Sequence, residues 1–189
     1  MRIIGGKFKN RNFFMPEGIR PTQNVVRKAI FDLLGHDWEG INFLELFAGS
    51  GSVGLEALSR GAASVSFVEK DRKCALTIEE NLKLMGLDPM GDHDHDQQVE
   101  VFNSDIVVAL RQFARFNRKF DIIFADPPYE VDLAKKTLIT LGGCDIFNPN
   151  CFLVFQHEKR EILPQTEGPF SLSKQKVYGA TYISIYQAH

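Results

Sequence analysis

The sequence predicts an α/β fold: a doubly wound, mostly parallel sheet preceded by a basic N-terminal arm and closed by a C-terminal β-hairpin. Three observations carry this. From Ile41 onward, short apolar strands alternate with longer helical stretches. The run Phe120-Asp121-Ile122-Ile123-Phe124-Ala125 is so continuously apolar that both its faces must be buried, in the middle of a parallel sheet. A glycine-rich turn, Gly49-Ser50-Gly51-Ser52-Val53-Gly54, lies directly between a strand and a helix.

The elements follow in order. Residues 2–14 alternate short apolar and basic stretches around Gly5-Gly6 and Lys9-Asn10-Arg11-Asn12, the texture of a small hairpin or ordered arm. After Pro16, Gly18 and Pro21, Thr22 is a natural N-cap for a helix closed by Gly35. Its apolar face is Val25, Val26, Ala29, Ile30, Leu33 and Leu34, with Arg27 and Lys28 on the other side. Strands are expected at 43–47, 64–68, 98–102, 120–125 and 151–155, and helices at 53–60, 72–85, 106–116 and 133–141. The tail, 170–177 and 181–186 around Tyr178-Gly179-Ala180, reads as the closing hairpin.

With 189 residues, 44% hydrophobic and 24% charged, the chain is sized and composed for one buried core, which sets aside disorder, collagen-like structure and coiled coil. Cys74, Cys144 and Cys151 are odd in number and far apart, the pattern of reduced thiols in a cytoplasmic protein. No apolar run approaches a membrane span, and Met1-Arg2-Ile3-Ile4-Gly5 lacks a signal-peptide core. Asp92-His93-Asp94-His95-Asp96 alternates possible metal ligands, but all in one short polar loop, so a surface loop and no metal is expected.

The net charge of −2 conceals an asymmetry. Residues 1–36 carry seven basic residues (Arg2, Lys7, Lys9, Arg11, Arg20, Arg27, Lys28) against Glu17 and Asp32, and the remainder carries 15 basic against 22 acidic. A basic segment, 1–38, that meets a polyanion, joined to a catalytic body, 39–189, is the expected organisation.

The turn at Gly49–Gly54 fits the pattern G-x-G-x-x-G, and Glu69 follows its first glycine by 20 residues, at the end of the second strand. Glycines let the chain reverse while a ligand approaches the backbone, and the acid accepts both hydroxyl hydrogens of a ribose. An adenosine-bearing cofactor is therefore expected, a dinucleotide or S-adenosylmethionine. Asp105, past the third strand, is placed either to accept from an adenine amino group or to cap the next helix.

Asp126-Pro127-Pro128-Tyr129 leaves the most apolar strand beside this turn. An amino group on an aromatic ring is a poor nucleophile, because its lone pair is delocalised. A site that methylates it must accept its two N–H hydrogens and aim the lone pair at the methyl carbon. The Asp126 carboxylate and the Pro127 carbonyl provide two acceptors, Pro127 and Pro128 stiffen the turn, and Tyr129 can stack on the base.

Taken together, Arg2-Ile3-Ile4-Gly5-Gly6-Lys7, Arg20-Pro21-Thr22, Leu46-Phe47-Ala48-Gly49-Ser50-Gly51, Val68-Glu69-Lys70-Asp71, Asp126-Pro127-Pro128-Tyr129 and Tyr178-Gly179 resemble, in the same order and nearly from end to end, the ribosomal RNA small subunit methyltransferase D (RsmD) family. The resemblance implies a Rossmann-like class I S-adenosylmethionine-dependent methyltransferase acting on the N2 amino group of a guanine in 16S rRNA of the assembling small subunit, as a cytoplasmic monomer. It implies a cofactor pocket of Glu45, Phe47, Gly49, Ser50, Gly51, Glu69, Lys70, Asp105, Ile106 and Asp126. In that pocket Glu69 holds the ribose, the glycine turn the methionine portion and Asp105 the adenine, with Asp126 to Tyr129 on the target base. RNA contacts are expected from Arg2, Lys7, Lys9, Arg11, Arg20, Thr22 and Arg27. Glu45 where aspartate is more usual, and Ala180 where a polar residue is, depart from the pattern. Rival readings are an adenine-N6 methyltransferase with the same Asp-Pro-Pro-Tyr site, an NAD-dependent oxidoreductase, for which no hydride-transfer residues are evident, and a non-catalytic RNA-binding protein.

Overall fold

The computed structural model describes residues 1–16, 18, 24–35, 37–87, 97–129 and 132–189. Thr22 as a helix cap, Arg20 as an RNA contact and the His93/His95 loop lie outside the described residues. The alternation of strand and helix unfolds as β1 (Asn42–Leu46), α2 (Ser52–Arg60), β2 (Ser64–Glu69), α3 (Arg72–Leu84), β3 (Gln98–Asn103), α4 (Ile106–Arg115), β4 (Phe120–Ala125), α5 (Leu133–Gly142) and β5 (Phe147–Glu158), preceded by α1 (Asn24–Leu34). Three strands complete the sheet: β6 (Thr166–Glu167), β7 (Phe170–Tyr178) and β8 (Thr181–Ala188).

One eight-stranded sheet runs in the order β3-β2-β1-β4-β5-β8-β7-β6. The pairs among β3, β2, β1, β4 and β5 are parallel, and β8 joins β5 antiparallel. Strand order therefore reverses between β1 and β4, and it is beyond the carboxyl ends of the strands at such a reversal that ligands of doubly wound sheets bind. Each face buries its own apolar cluster. One contains Ile30, Phe31, Phe43, Val53, Phe67 and Ile78, and the other contains Leu44, Leu110, Phe113, Ile123, Leu138 and Phe155. Phe43 and Leu44 are consecutive residues of β1, so the two-residue period of the strand is what sorts them to opposite sides.

The N-terminal segment is part of this core. Ile3, Phe8 and Phe13 belong to the same cluster as α1 and α2. Arg2 and Asn12 form an antiparallel bridge. The Ile4 and Gly5 N–H groups donate to the Glu56 carboxylate of α2 at 2.8 and 2.7 Å. Gly6 is at φ +73°, and a Cβ there would stand 1.7 Å from the Ser59 carbonyl oxygen, so the close approach of arm to helix requires glycine.

The expectation for α1 is corrected. The buried residues are Val26, Arg27, Ala29, Ile30 and Phe31, and Val25 is 69% exposed. The helix is rotated so that Arg27 turns inward, because Glu56 awaits it: their side chains, both fully buried, approach to 3.7 Å, and Arg27 also donates to the Arg2 carbonyl and to Asn24. The strand expected at 151–155 is longer, 147–158. Asn148-Pro149-Asn150 reads as a break, but an irregularity in the β4–β5 pairing between Phe120 and Ile122 takes up the extra residues, with Asn150 at φ 64°.

Candidate functional site

The site forms at the carboxyl ends of β1, β2 and β4. Leu46 pairs with Val68 on one side and Ala125 on the other, so the turn after β1, Glu69 and Asp126 leave the sheet side by side. In the turn, Phe47, Gly49 and Gly51 all have positive φ, and the Gly51 N–H closes on the Ala48 carbonyl at 2.7 Å. A bulky residue in the left-handed region is strained, which befits a segment held for a ligand. Glu69 fixes the turn from β2: it accepts from Gly49 N–H at 2.7 Å with one oxygen and from Asp71 N–H at 2.7 Å with the other.

Glu45 lies beneath the turn. It is buried, and it accepts from the Val53 and Gly54 N–H groups at 3.3 and 2.7 Å. Gly51, the N-cap of α2, has no side chain to satisfy those donors, so a carboxylate from the neighbouring strand does so. A Cβ on Gly54 would meet Glu45 Oε2 at 2.7 Å and the Phe67 ring at 2.4 Å. The third glycine of the motif is thus required by packing under the turn, and Glu45 props the backbone. Burial pushes the Glu45 carboxyl up to about 8, helped by the Asp126 charge and opposed by the two backbone donors and Arg27.

Asp105 caps α4, accepting from Val107 N–H at 2.9 Å, with Lys70 Nζ at 4.0 Å. Ile106 follows it against the core. Capping uses one carboxylate oxygen, so it is compatible with a second role at the rim.

Asp126 follows β4 directly, Pro127 is buried and Pro128 exposed, and the Tyr129 ring is 54% exposed, with its hydroxyl 3.4 Å from Thr181 Oγ1. The sequence reading missed Gln156, a buried residue of β5 whose Nε2 donates to Asp126 Oδ2 at 3.0 Å. Its only sequence signal is a polar side chain within an apolar strand next to β4. Among the described residues no group of three or more histidine, cysteine, aspartate or glutamate side chains could hold a metal, and no helix is long and apolar enough to cross a membrane.

One assignment in the basic segment changes. Arg27 is inside the protein, paired with Glu56, so it is corrected from an RNA-contacting residue to a core residue. Arg2, Lys7, Lys9 and Arg11 are exposed and, among the described residues, form no ion pair with a carboxylate. Lys7 and Phe8 bond to Ser59 near the end of α2 and line a groove of about 820 Å³ with Gly40, Gly61, Ala63 and Gln97, the residues that lead into β1, β2 and β3. This is the sheet edge opposite to Asp126.

Comparison with known proteins agrees with this architecture. Residues 1–187 match the family described as "Conserved hypothetical protein 95". The protein is 32% identical to ribosomal RNA small subunit methyltransferase D of Haemophilus influenzae, over 99% of this chain and 93% of that one. It is 31% identical to the Escherichia coli K12 protein of the same name, over 99% and 89%. The solved structure of Escherichia coli yhhF superposes with a TM-score of 0.84 at 31% identity, covering 100% of this chain and 98% of that one. At 16% identity, SMU.776, solved in complex with SAH, shares the fold alone, with a TM-score of 0.67 over 96% of this chain and 52% of that one. The fold is the Rossmann-like class I fold of S-adenosylmethionine-dependent methyltransferases. By the full-length match and these identities, the chain belongs to the RsmD family, the family described as conserved hypothetical protein 95.

Proposed function

We propose that the protein transfers a methyl group from S-adenosylmethionine to the exocyclic N2 amino group of a guanine in 16S rRNA, within the assembling small subunit, as a cytoplasmic monomer. The observation that carries the proposal is the departure of Asp126-Pro127-Pro128-Tyr129 from β4 directly beside the glycine turn of the neighbouring parallel strand β1. The ribosomal target is supported by the name of the relatives.

The donor set suits S-adenosylmethionine. Glu69 would take the ribose hydroxyls, Phe47 to Gly51 the methionine portion, and Lys70, Asp105 and Ile106 the adenine side, with Glu45 holding the turn from below. Bound there, the cofactor supplies a methyl group already activated by the sulfonium charge. The protein's task is then to position the acceptor. Gln156 donates to Asp126, which fixes the orientation of the carboxyl group at the site, where it accepts an N–H of the base. The Pro127 carbonyl takes the second N–H, and the exposed ring of Tyr129 stacks on a guanine that is unpaired or drawn out of its helix. The proton released after transfer passes to Asp126 and on to solvent. RNA contact is assigned to residues 1–38, through Arg2, Lys7, Lys9 and Arg11, and methyl transfer to residues 39–189.

The test is single-turnover methylation of 16S rRNA and of small-subunit particles, paired with calorimetric binding of S-adenosylmethionine. Asp126→Ala and Tyr129→Ala each lower methylation at least about a hundredfold, a scale typical of losing a positioning or electrostatic contact, and Tyr129→Ala, outside the cofactor pocket, does so with cofactor affinity little changed. Wild-type protein that binds NAD and no S-adenosylmethionine would refute the proposal, as would variants of full activity.

A further inference from the structure

The basic turn at Lys7–Arg11 stands at the sheet edge away from Asp126, so it does not grip the nucleotides that flank the target base. The opposite end of the sequence reaches that position. The Glu158–Thr181 pair closes the β5–β8 ladder, and Lys159 N–H donates to the Ala180 carbonyl at 3.1 Å, so the turn between β7 and β8 caps the carboxyl end of β5. That is the Asp126 edge, and Tyr129 reaches Thr181 there.

The pairing also fixes which way the side chains leave the sheet. Residues directly opposite one another on adjacent strands share a face. Lys176 is opposite Ile183 and Lys174 opposite Ile185, while Tyr178 is opposite Thr181. Thr181, Ile183 and Ile185 alternate along β8, so Lys174, Lys176, Tyr178 and Thr181 project on one side, the side that Tyr129 contacts. Both lysines are exposed. From Gly168 to the C-terminus there is no aspartate or glutamate. Among the described residues, neither these lysines nor exposed Lys159 forms an ion pair, whereas Arg160 is engaged by Glu158.

Building on the RNA-methylation reading above, we propose that the β7–β8 hairpin is the RNA surface next to the catalytic edge: Lys174 and Lys176, with Lys159 at its base, contact backbone phosphates of the single strand flanking the base that stacks on Tyr129. A row of uncompensated ammonium groups leading away from an exposed aromatic ring matches a single strand, whose phosphates need charge and whose bases need a stacking platform.

The experiment compares wild type, Lys174→Glu/Lys176→Glu, and a control, Lys135→Glu/Lys136→Glu, which alters exposed lysines of α5 packed on the other face. Fluorescence anisotropy with a single-stranded RNA oligonucleotide over a salt series, methylation of small-subunit particles, cofactor binding and thermal melting are measured for each. The hairpin variant loses at least about tenfold in RNA affinity, and its log–log salt dependence is shallower by about 1.4, for two lost phosphate contacts at ~0.7 each. Its cofactor binding and melting match wild type, and the control variant keeps its RNA affinity. Equal RNA affinity in the two variants would overturn the inference. So would loss confined to particles with oligonucleotide binding intact, since that would assign the hairpin to a protein partner. Failure of the underlying reading is distinguishable, because wild type itself would then methylate no RNA.

Discussion

Glu45 and Arg27 are two buried ionisable side chains held by scaffold partners: Glu45 accepts from the Val53 and Gly54 N–H groups, and Arg27 pairs with Glu56. Removing the Glu45 side chain strands the Val53 and Gly54 N–H groups in the core, so Glu45→Ala is expected to lower unfolding free energy by about 3 kcal/mol in urea denaturation. Its pH dependence has a definite sign. Burial raises the folded carboxyl to about 8, above its ordinary 4.5, so the folded state holds the proton more tightly than the unfolded one. The contribution is fully present below the ordinary value and fades as pH rises through about 8. Wild type should therefore lose stability relative to Glu45→Gln as pH rises from about 4.5 to about 8, with little further change above that, and parallel stability curves would contradict this. Arg27→Ala empties the space of a fully buried side chain and removes its bonds to the Arg2 carbonyl and Asn24, while Arg60 stays paired with Glu56 at 2.9 Å, and should cost about 3 kcal/mol. A variant of unchanged stability and weakened RNA binding would return Arg27 to the surface role. The inward turn of Arg27 was hidden in the sequence because its partner is 29 residues away on another helix, and helical periodicity alone places any arginine outside. Asp126 and Tyr129, by contrast, were legible as a motif with a chemical purpose, while Gln156 was not, since only strand pairing brings it to Asp126.

The secondary-structure elements that a single period governs were read within a residue or two. Helices α2 to α5 and strands β1 to β4 announce themselves by apolar spacing and glycine stops. What escaped depends on tertiary partners: the beginning of β5, spanning a proline and absorbed by irregular pairing, and the two-residue strand β6. The N-terminal segment belongs to the same class. It looks like a free basic arm, yet its backbone is tied to α2 through Glu56 and Ser59. Gly6→Ala tests that attachment directly, because the added methyl meets the Ser59 carbonyl. The expected result is a lowered melting temperature and new proteolytic cleavage within residues 5–12, with S-adenosylmethionine affinity retained. An unaltered digestion pattern would mean that the arm is not docked as described.

At the scale of the whole molecule, the division of charge between a basic N-terminal segment and an acidic remainder is real in composition but does not map onto a single basic surface. One basic turn lies at the amino edge of the sheet, and the lysines of the hairpin lie at the carboxyl edge with the site. A substrate that touches both must reach across the sheet, which suits a large folded RNA. Truncating residues 1–20 would remove core side chains such as Ile3, Phe8 and Phe13 as well as charge, so point substitutions are the cleaner probe. The central claim, that Asp126 to Tyr129 present a guanine amino group of 16S rRNA for methylation, is tested most directly by mapping modified nucleotides in 16S rRNA from cells lacking this gene and carrying back either wild type or Asp126→Ala. The account predicts one N2-methylguanine that is absent in the deletion, restored by wild type and not by Asp126→Ala. A modification pattern unchanged by the deletion, or restored by Asp126→Ala, would contradict it.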